Sequence, residues 1–240
     1  MSATGATGAA DDELYFQQIS VGEMANLAYL VGSRSTRQAL LVDPAWSVDA
    51  LLDRAADDGM DVVGALVTHY HQDHVGGELF GFEIEGLRRL LERHPVPVHV
   101  QEREALGVRR VTGVSESDLV RHAAGDVVEV GGVRVTLLHT PGHTPGSQCF
   151  LVGSPGRPDA LVSGDTLFLG SCGRVDLPGS DPKAMFDSLH HTLGRLPDET
   201  LLYPGHLYAP QASSTLGEQK RTNPYLRVAR LDDFLAFLGY

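Results

Sequence analysis

The stretch Val62-Val63-Gly64-Ala65-Leu66-Val67-Thr68-His69-Tyr70-His71-Gln72-Asp73-His74-Val75-Gly76-Gly77 decides the fold. Residues 62–68 form a continuous apolar run of strand length, the pattern of a strand covered on both faces. Three imidazoles and one carboxylate follow within six residues. A loop that leaves a buried strand is a fixed platform for side chains that must converge. On extended backbone His69 and His71, two apart, point the same way. Asp73 and His74 then turn to a neighbouring point. Imidazole with carboxylate suits Zn, Fe or Mn rather than Ca or Mg. The bland alternative, a polar loop with chance histidines, does not account for this density.

Three more candidate ligands lie further along the chain. His143 sits in His139-Thr140-Pro141-Gly142-His143-Thr144-Pro145-Gly146, after the strand expected at 133–138. Asp165 sits in Ser163-Gly164-Asp165-Thr166, after residues 160–162. His206 sits in Tyr203-Pro204-Gly205-His206, after residues 201–202. Each follows one grammar of strand, small residues, ligand. That grammar puts the side chains at one end of the sheets. Alone, each reads more often as a turn or a surface group; together they make a site.

The rest of the chain supports an α/β protein. Strands are expected at 14–20, 26–31, 39–42, 96–100, 148–152 and 160–163. Gly131-Gly132 between 127–130 and 133–138 signals a hairpin. Helices are expected at 48–58, 82–93, 181–193 and 225–238, the third opened by Asp181 as N-cap with Pro182 behind it. Strands and helices alternate in both halves, so one layered domain is read over residues 14–240, after a small-residue tail at 1–13 expected to be disordered. The 240 residues suffice for a sizeable core. The formal net charge of -12 argues against nucleic acid or an anionic membrane as partner. Two cysteines exclude a disulfide-built fold. The start carries no signal-peptide pattern, and no apolar run approaches the ~20 residues of a membrane span. A soluble, cytoplasmic protein is expected.

The series Thr68-His69-x-His71-x-Asp73-His74, His143, Asp165, His206 resembles the metallo-β-lactamase superfamily from about Leu14 onward. The resemblance implies an αββα sandwich with the metal site at one edge of its two sheets. It implies a first metal on His69, His71 and His143, a second on Asp73, His74 and His206, and Asp165 bridging both. Two divalent ions follow, Zn foremost, with Fe or Mn as alternatives. Gly164-Asp165-Thr166-Leu167-Phe168 and Cys172-Gly173-Arg174 resemble the glyoxalase II (hydroxyacylglutathione hydrolase) branch. In that branch the residues matching Arg174 and Tyr208 contact the thiol part of the substrate. The segment 213–224 also resembles persulfide dioxygenases, which use a single iron.

The implied chemistry is hydrolysis of a small-molecule thiol conjugate. Water between two metals has its pKa lowered from 15.7 to around 7, so hydroxide is at hand to attack a thioester carbonyl. Asp73 is placed to orient that nucleophile. A thiol of pKa about 8.5 leaves without a general acid, whereas an amide would need one. Arg174, with Lys220 and Arg221 as weaker candidates, offers charge for a carboxylate. A mononuclear iron persulfide dioxygenase and a hydrolase of another ester or lactone remain the alternatives. Among the other residues, Trp46 is a candidate for the site mouth and residues 78–94 for a lid. His139 is a candidate to support the ligands. Cys172 reads as a small buried residue, and His190 and His191 as surface.

Overall fold

The computed structural model describes residues 13–153 and 156–240. The first six-stranded sheet has the order Leu14–Val21, Asn26–Ser33, Gln38–Val42, Asp61–Leu66, Val98–Gln101, Leu119–His122. Its first three strands form an antiparallel meander and its last three run parallel. The second has the order Ser214–Thr215, Leu201–Tyr203, Ala160–Val162, Gln148–Gly153, Val133–His139, Val127–Val130. Only Ala160–Val162 and Leu201–Tyr203 pair in parallel there.

Alternation explains the layering. In Asn26–Ser33 every residue is buried. Leu27, Tyr29 and Val31 face the second sheet and pack with Val135, Leu137, Phe150 and Val162. Ala28 and Leu30 face outward onto helices Val48–Asp57, Leu87–Arg93 and Ala105–Thr112 through Leu51, Leu87 and Val108. The far face of the second sheet is covered by Met185, Phe186, Leu216 and Phe234. Four layers result, helix–sheet–sheet–helix, as expected. Leu66 is fully buried between the sheets, so Leu66→Ala there would cost about 2–5 kcal/mol.

Two seams tie the sheets together at the end where the ligand loops emerge. Gln148 donates its backbone N–H to the Thr68 carbonyl at 2.9 Å and its side-chain amide to that of Val67 at 2.8 Å. Leu27 N–H donates to Gly205 O at 2.8 Å, and Asn26 pairs with His206 as an antiparallel bridge.

Local signals held where they were strong. Asp181 caps Pro182–Asp187 by accepting from the N–H of Lys183 and Ala184. Gly131 and Gly132 both take positive φ, 56° and 89°, as a primed hairpin turn requires. Three helices are shorter than expected. Residues 82–93 divide into the strand Phe82–Ile84, paired with Gly77–Leu79, and the helix Leu87–Arg93. The break falls at Gly86, where any Cβ would lie 2.0 Å from the Val75 carbonyl oxygen. Residues 225–238 divide into Pro224–Arg227 and Leu231–Leu238, and the break lets Phe234 reach the Phe186 ring at 5.4 Å. The expected helix at 181–193 is α-helical only to Asp187 and then loosens into π and 3-10 turns. Ala105–Thr112 and Leu119–His122 were not anticipated. Residues 1–12 of the expected tail lie outside the described residues. Glu13 is held, accepting from Ser33 and Ser35 hydroxyls and from Arg34 N–H.

Candidate metal centre

All seven residues singled out by the strand-end grammar converge at one edge of the two sheets. Directly past the Asp61–Leu66 strand the chain stays extended through His71 (φ −65°, ψ 143°) and then turns as the short helix Gln72–Val75. His69 and His71 therefore reach one point, and Asp73 and His74 a second. His69 Nε2 lies 3.1 Å from His71 Nδ1, and His143 Nε2 2.9 Å from the same atom. On the other side His74 Nε2 lies 3.2 Å from His206 Nε2, and Asp73 Oδ2 lies 3.5 and 3.3 Å from those two nitrogens. Asp165 sits between the trios: Oδ2 is 3.5 Å from His143 Nε2 and 3.4 Å from His206 Nε2, and Oδ1 is 3.4 Å from His74 Nε2.

The outer nitrogens determine what the inner ones present. His143 Nδ1–H donates to the Arg174 carbonyl at 2.8 Å and His206 Nδ1–H to that of Met24 at 2.9 Å. His74 Nδ1–H donates to Asp43 Oδ2 at 3.0 Å. The Thr68 hydroxyl donates to Asp43 Oδ2 at 2.6 Å, so it accepts from His69 Nδ1–H at 3.0 Å. In a neutral ring each commitment leaves the lone pair on the inward nitrogen. His69 and His143 thus both offer lone pairs to His71 Nδ1, which carries at most one proton for two acceptors. Asp165 Oδ1 is buried with no hydrogen-bond partner. A cation in each trio resolves both conflicts, and the donors fit one.

The electrostatics differ between the trios. Burial, reinforced by neighbouring imidazoles, holds His69 well below the usual histidine range and pushes His71 down to about 4. In the second trio burial works against charging, but the carboxylates outweigh it. Asp73 and Asp165 hold His74 well above its ordinary value, and Asp165 and Asp73 lift His206 to about 9. Burial also raises both carboxylates, and the facing imidazoles overcome it and keep Asp73 and Asp165 below the usual range. Protons on His74 and His206 stand where a cation would.

A cavity of about 330 Å³ opens over the seven residues, walled by Met24, Phe168, Cys172, Arg174, Leu177 and Tyr208. Tyr208 stacks on His206, rings 4.8 Å apart and 9° from parallel. The Arg174 side chain is exposed and forms two 2.9 Å contacts with Asp176. A larger cavity of about 550 Å³ lies between the Gly77–Leu79/Phe82–Ile84 hairpin and the Leu87–Arg93 helix and contains none of the ligand candidates. Chemistry rather than volume identifies the site. Residues 78–94 wall that second cavity and not the first, so nothing in the structure gives them the role of a lid.

The remaining candidates sort as follows. Trp46 does not line the cavity; its Nε1–H donates to the Asp73 carbonyl at 3.0 Å and braces the ligand loop from beneath. His139 contacts the Pro145 carbonyl at 3.1 Å. Lys220 is committed to the Leu196 carbonyl and Asp198, at 2.6 and 2.7 Å. His190 is half-buried against Phe186, with ring centroids 4.3 Å apart, rather than on the surface. Cys172 is buried, and its thiol is pushed up to about 12 by that burial. Sequence reading missed Asp43, Asn26 and Glu104. Asn26 donates to Asp73 at both its carbonyl and Oδ2, at 3.1 and 3.0 Å. Asp43 follows the Gln38–Val42 strand and obeys the same grammar as the ligands, a signal that was available.

Comparison with known proteins agrees with this geometry. The sequence is 32% identical over 234 residues to a hydroxyacylglutathione hydrolase of Synechococcus, covering 84% of each chain. In structure it superposes on ETHE1 from Myxococcus xanthus with a TM-score of 0.78 at 32% identity, covering 94% of this chain and 90% of that one. It also superposes on TTHA1623, solved in a di-iron-bound form, with a TM-score of 0.67 at 33% identity, covering 88% and 100%. The metallo-beta-lactamase superfamily model matches residues 21–206. With the αββα layering and the edge cluster of histidines and aspartates, that match means the chain belongs to the metallo-beta-lactamase superfamily, whose fold binds two divalent metals.

Proposed function

We propose that this protein is a two-metal hydrolase of thioesters, of the hydroxyacylglutathione hydrolase type, acting on a small thiol conjugate in the cytoplasm as a single domain over residues 14–240. The observation that carries the reading is the pair of donor trios sharing Asp165. His69, His71 and His143 would hold one ion and Asp73, His74 and His206 the other, with Asp165 shared between them. Zn is the first choice; a di-iron relative keeps Fe open. When bound, such ions acidify water to a pKa around 7 and polarise a carbonyl.

The chain's own residues supply the rest. Asn26 holds the Asp73 carboxylate through Oδ2, and Asp73 orients the attacking water. Asp43 fixes the His74 and His69 tautomers, the latter through Thr68. No general acid is needed for a thiolate leaving group. Arg174 and Tyr208 at the cavity wall take the thiol moiety. Two buried, unpaired cysteines suit a reducing compartment.

The test is elemental mass spectrometry on untagged protein, followed by assay with a hydroxyacyl thioester of glutathione. Two metals per chain and thioester turnover are expected. A second reading, a mononuclear iron persulfide dioxygenase, is favoured by the likeness to ETHE1. One iron per chain with oxygen uptake on a persulfide would replace the first reading with the second. A two-metal protein that turns over esters or lactones but no thioester would narrow the proposal to its metal site.

A further inference from the structure

Glu104 is fully buried, at 0% exposure, yet among the described residues no lysine or arginine pairs with its carboxylate. It lies at the start of the Ala105–Thr112 helix, whose buried face packs on the first sheet through Ala105 and Val108. Its carboxylate accepts three hydrogen bonds. Tyr70 N–H donates to Oε2 at 2.8 Å. Gly146 N–H and the Thr144 hydroxyl donate to Oε1 at 2.7 and 2.8 Å. Tyr70 stands between His69 and His71; Thr144 directly follows His143. One carboxylate therefore grips the backbone on both sides of the gap that the first trio spans.

The packing around it is built for this grip. A Cβ on Gly146 would lie 2.7 Å from Glu104 Cγ and 2.8 Å from its backbone nitrogen. A Cβ on Gly107, one turn along the same helix, would lie 2.6 Å from the Tyr70 ring. Both loops are thus pressed onto the start of this helix. A buried carboxylate with no cation beside it is costly to keep. For loop packing alone a neutral side chain of the same shape would serve at lower cost. Burial raises the Glu104 carboxyl to about 7, and the three donors favour its ionised form, which accepts at both oxygens without presenting a donor to any of them.

We propose that Glu104 is a positioning residue for the first metal, setting the distance between His71 and His143 by bracing their two loops against each other. The inference rests on the metal-centre reading above and adds to it a residue that touches neither metal nor substrate. It also predicts asymmetry. The second trio draws on Asp73, His74 and His206, and its cross-sheet seam at Leu27 and Gly205 does not involve Glu104. Disturbing Glu104 should therefore loosen one metal and spare the other.

The experiment compares the wild-type protein with Glu104→Gln. The amide keeps the volume and one acceptor oxygen but turns an N–H₂ donor toward a donor. Metal dissociation constants are measured by chelator competition, alongside the visible spectrum of the cobalt-substituted protein. Loss of the brace should weaken one of the two metals by about 10-fold or more, the scale seen when supports of metal ligands are removed. It should also change the cobalt spectrum of that site while the second is unaltered. Thr144→Val removes a single donor to Oε1 and should shift the same site in the same direction by less. It supplies the answer if Glu104→Gln does not fold. Two metals bound as in wild type with unchanged cobalt spectra, and only a lower melting temperature, would overturn the proposal and leave Glu104 a packing residue. Equal weakening of both metals would overturn it as well. A wild-type protein that binds fewer than two metals would instead bring down the functional reading on which the proposal rests.

Discussion

The two donor trios are built from the same grammar but are electrically unlike. His69, His71 and His143 are three imidazoles, and burial with the neighbouring rings keeps His69 and His71 neutral. Asp73, His74 and His206 include a carboxylate and have a second one, Asp43, behind His74. In the absence of metal the second trio recruits protons, while the first is left with lone pairs in conflict. The first site is therefore shaped by geometry and the second by charge. Asp165, whose two oxygens face both, couples them.

The largest effect is expected where the comparison collapses. Asp165→Ala removes the shared donor and should lower both metal occupancies and cut kcat/KM by at least about 1,000-fold, more than loss of any supporting residue. Retention of both metals at wild-type affinity would show the trios to be independent. Next come the paired variants His71→Ala and His206→Ala, each of which should lose one metal and about 100-fold or more in activity. If His206→Ala retains near-normal turnover with one iron bound, the second trio is dispensable and the oxygenase reading gains.

Asp43→Asn sharpens the difference. Its carboxylate supports both trios, but directly only the second, through His74. A 10- to 100-fold loss of affinity at the second metal is expected, against a smaller loss at the first. Metal titrations on the variant read both values.

The mildest effect is on stability against pH in the metal-free protein. His71, pushed down to about 4, stays neutral when folded but takes a proton when unfolded, so its contribution is lost as pH falls from about 6.5 to 4. His206, lifted to about 9, keeps a proton when folded that the unfolded chain gives up, so its contribution is lost as pH rises from about 6.5 to 9. Metal-free stability should peak near pH 6.5 and fall by about 1–3 kcal/mol on either side. Loading with metal should flatten the alkaline side, because the cation replaces the protons. Urea melts across pH, with and without metal, measure this; an alkaline fall that persists unchanged with metal bound would remove the charge distinction between the trios.

Much of this site was legible from sequence. His69, His71, Asp73, His74, His143, Asp165 and His206 were recognised because strand-end loops with small residues leave few directions for a side chain to take. The α/β layering was legible because strands and helices alternate along the chain and the continuous run at 62–68 demands cover on both faces, while the αββα order came from the family resemblance. Local composition did not reveal where helices break. Gly86 stops the 82–93 pattern because the Val75 carbonyl passes within reach, a contact between segments that no periodicity encodes. Nor did it reveal the supports. Asn26, Asp43 and Glu104 act across sequence separations of 47, 31 and 42 residues. Each is an ordinary polar residue until the sheets close.

The sequence by itself determined the candidate ligand types, their order and the strand ends that carry them, because these follow from short-range chain geometry. Only the tertiary structure decided which imidazole nitrogen faces inward, which carboxylates are left short of partners and which trio carries the charge. Those properties depend on hydrogen bonds and burial contributed by distant segments, and they come into being only when the two sheets meet at their common edge.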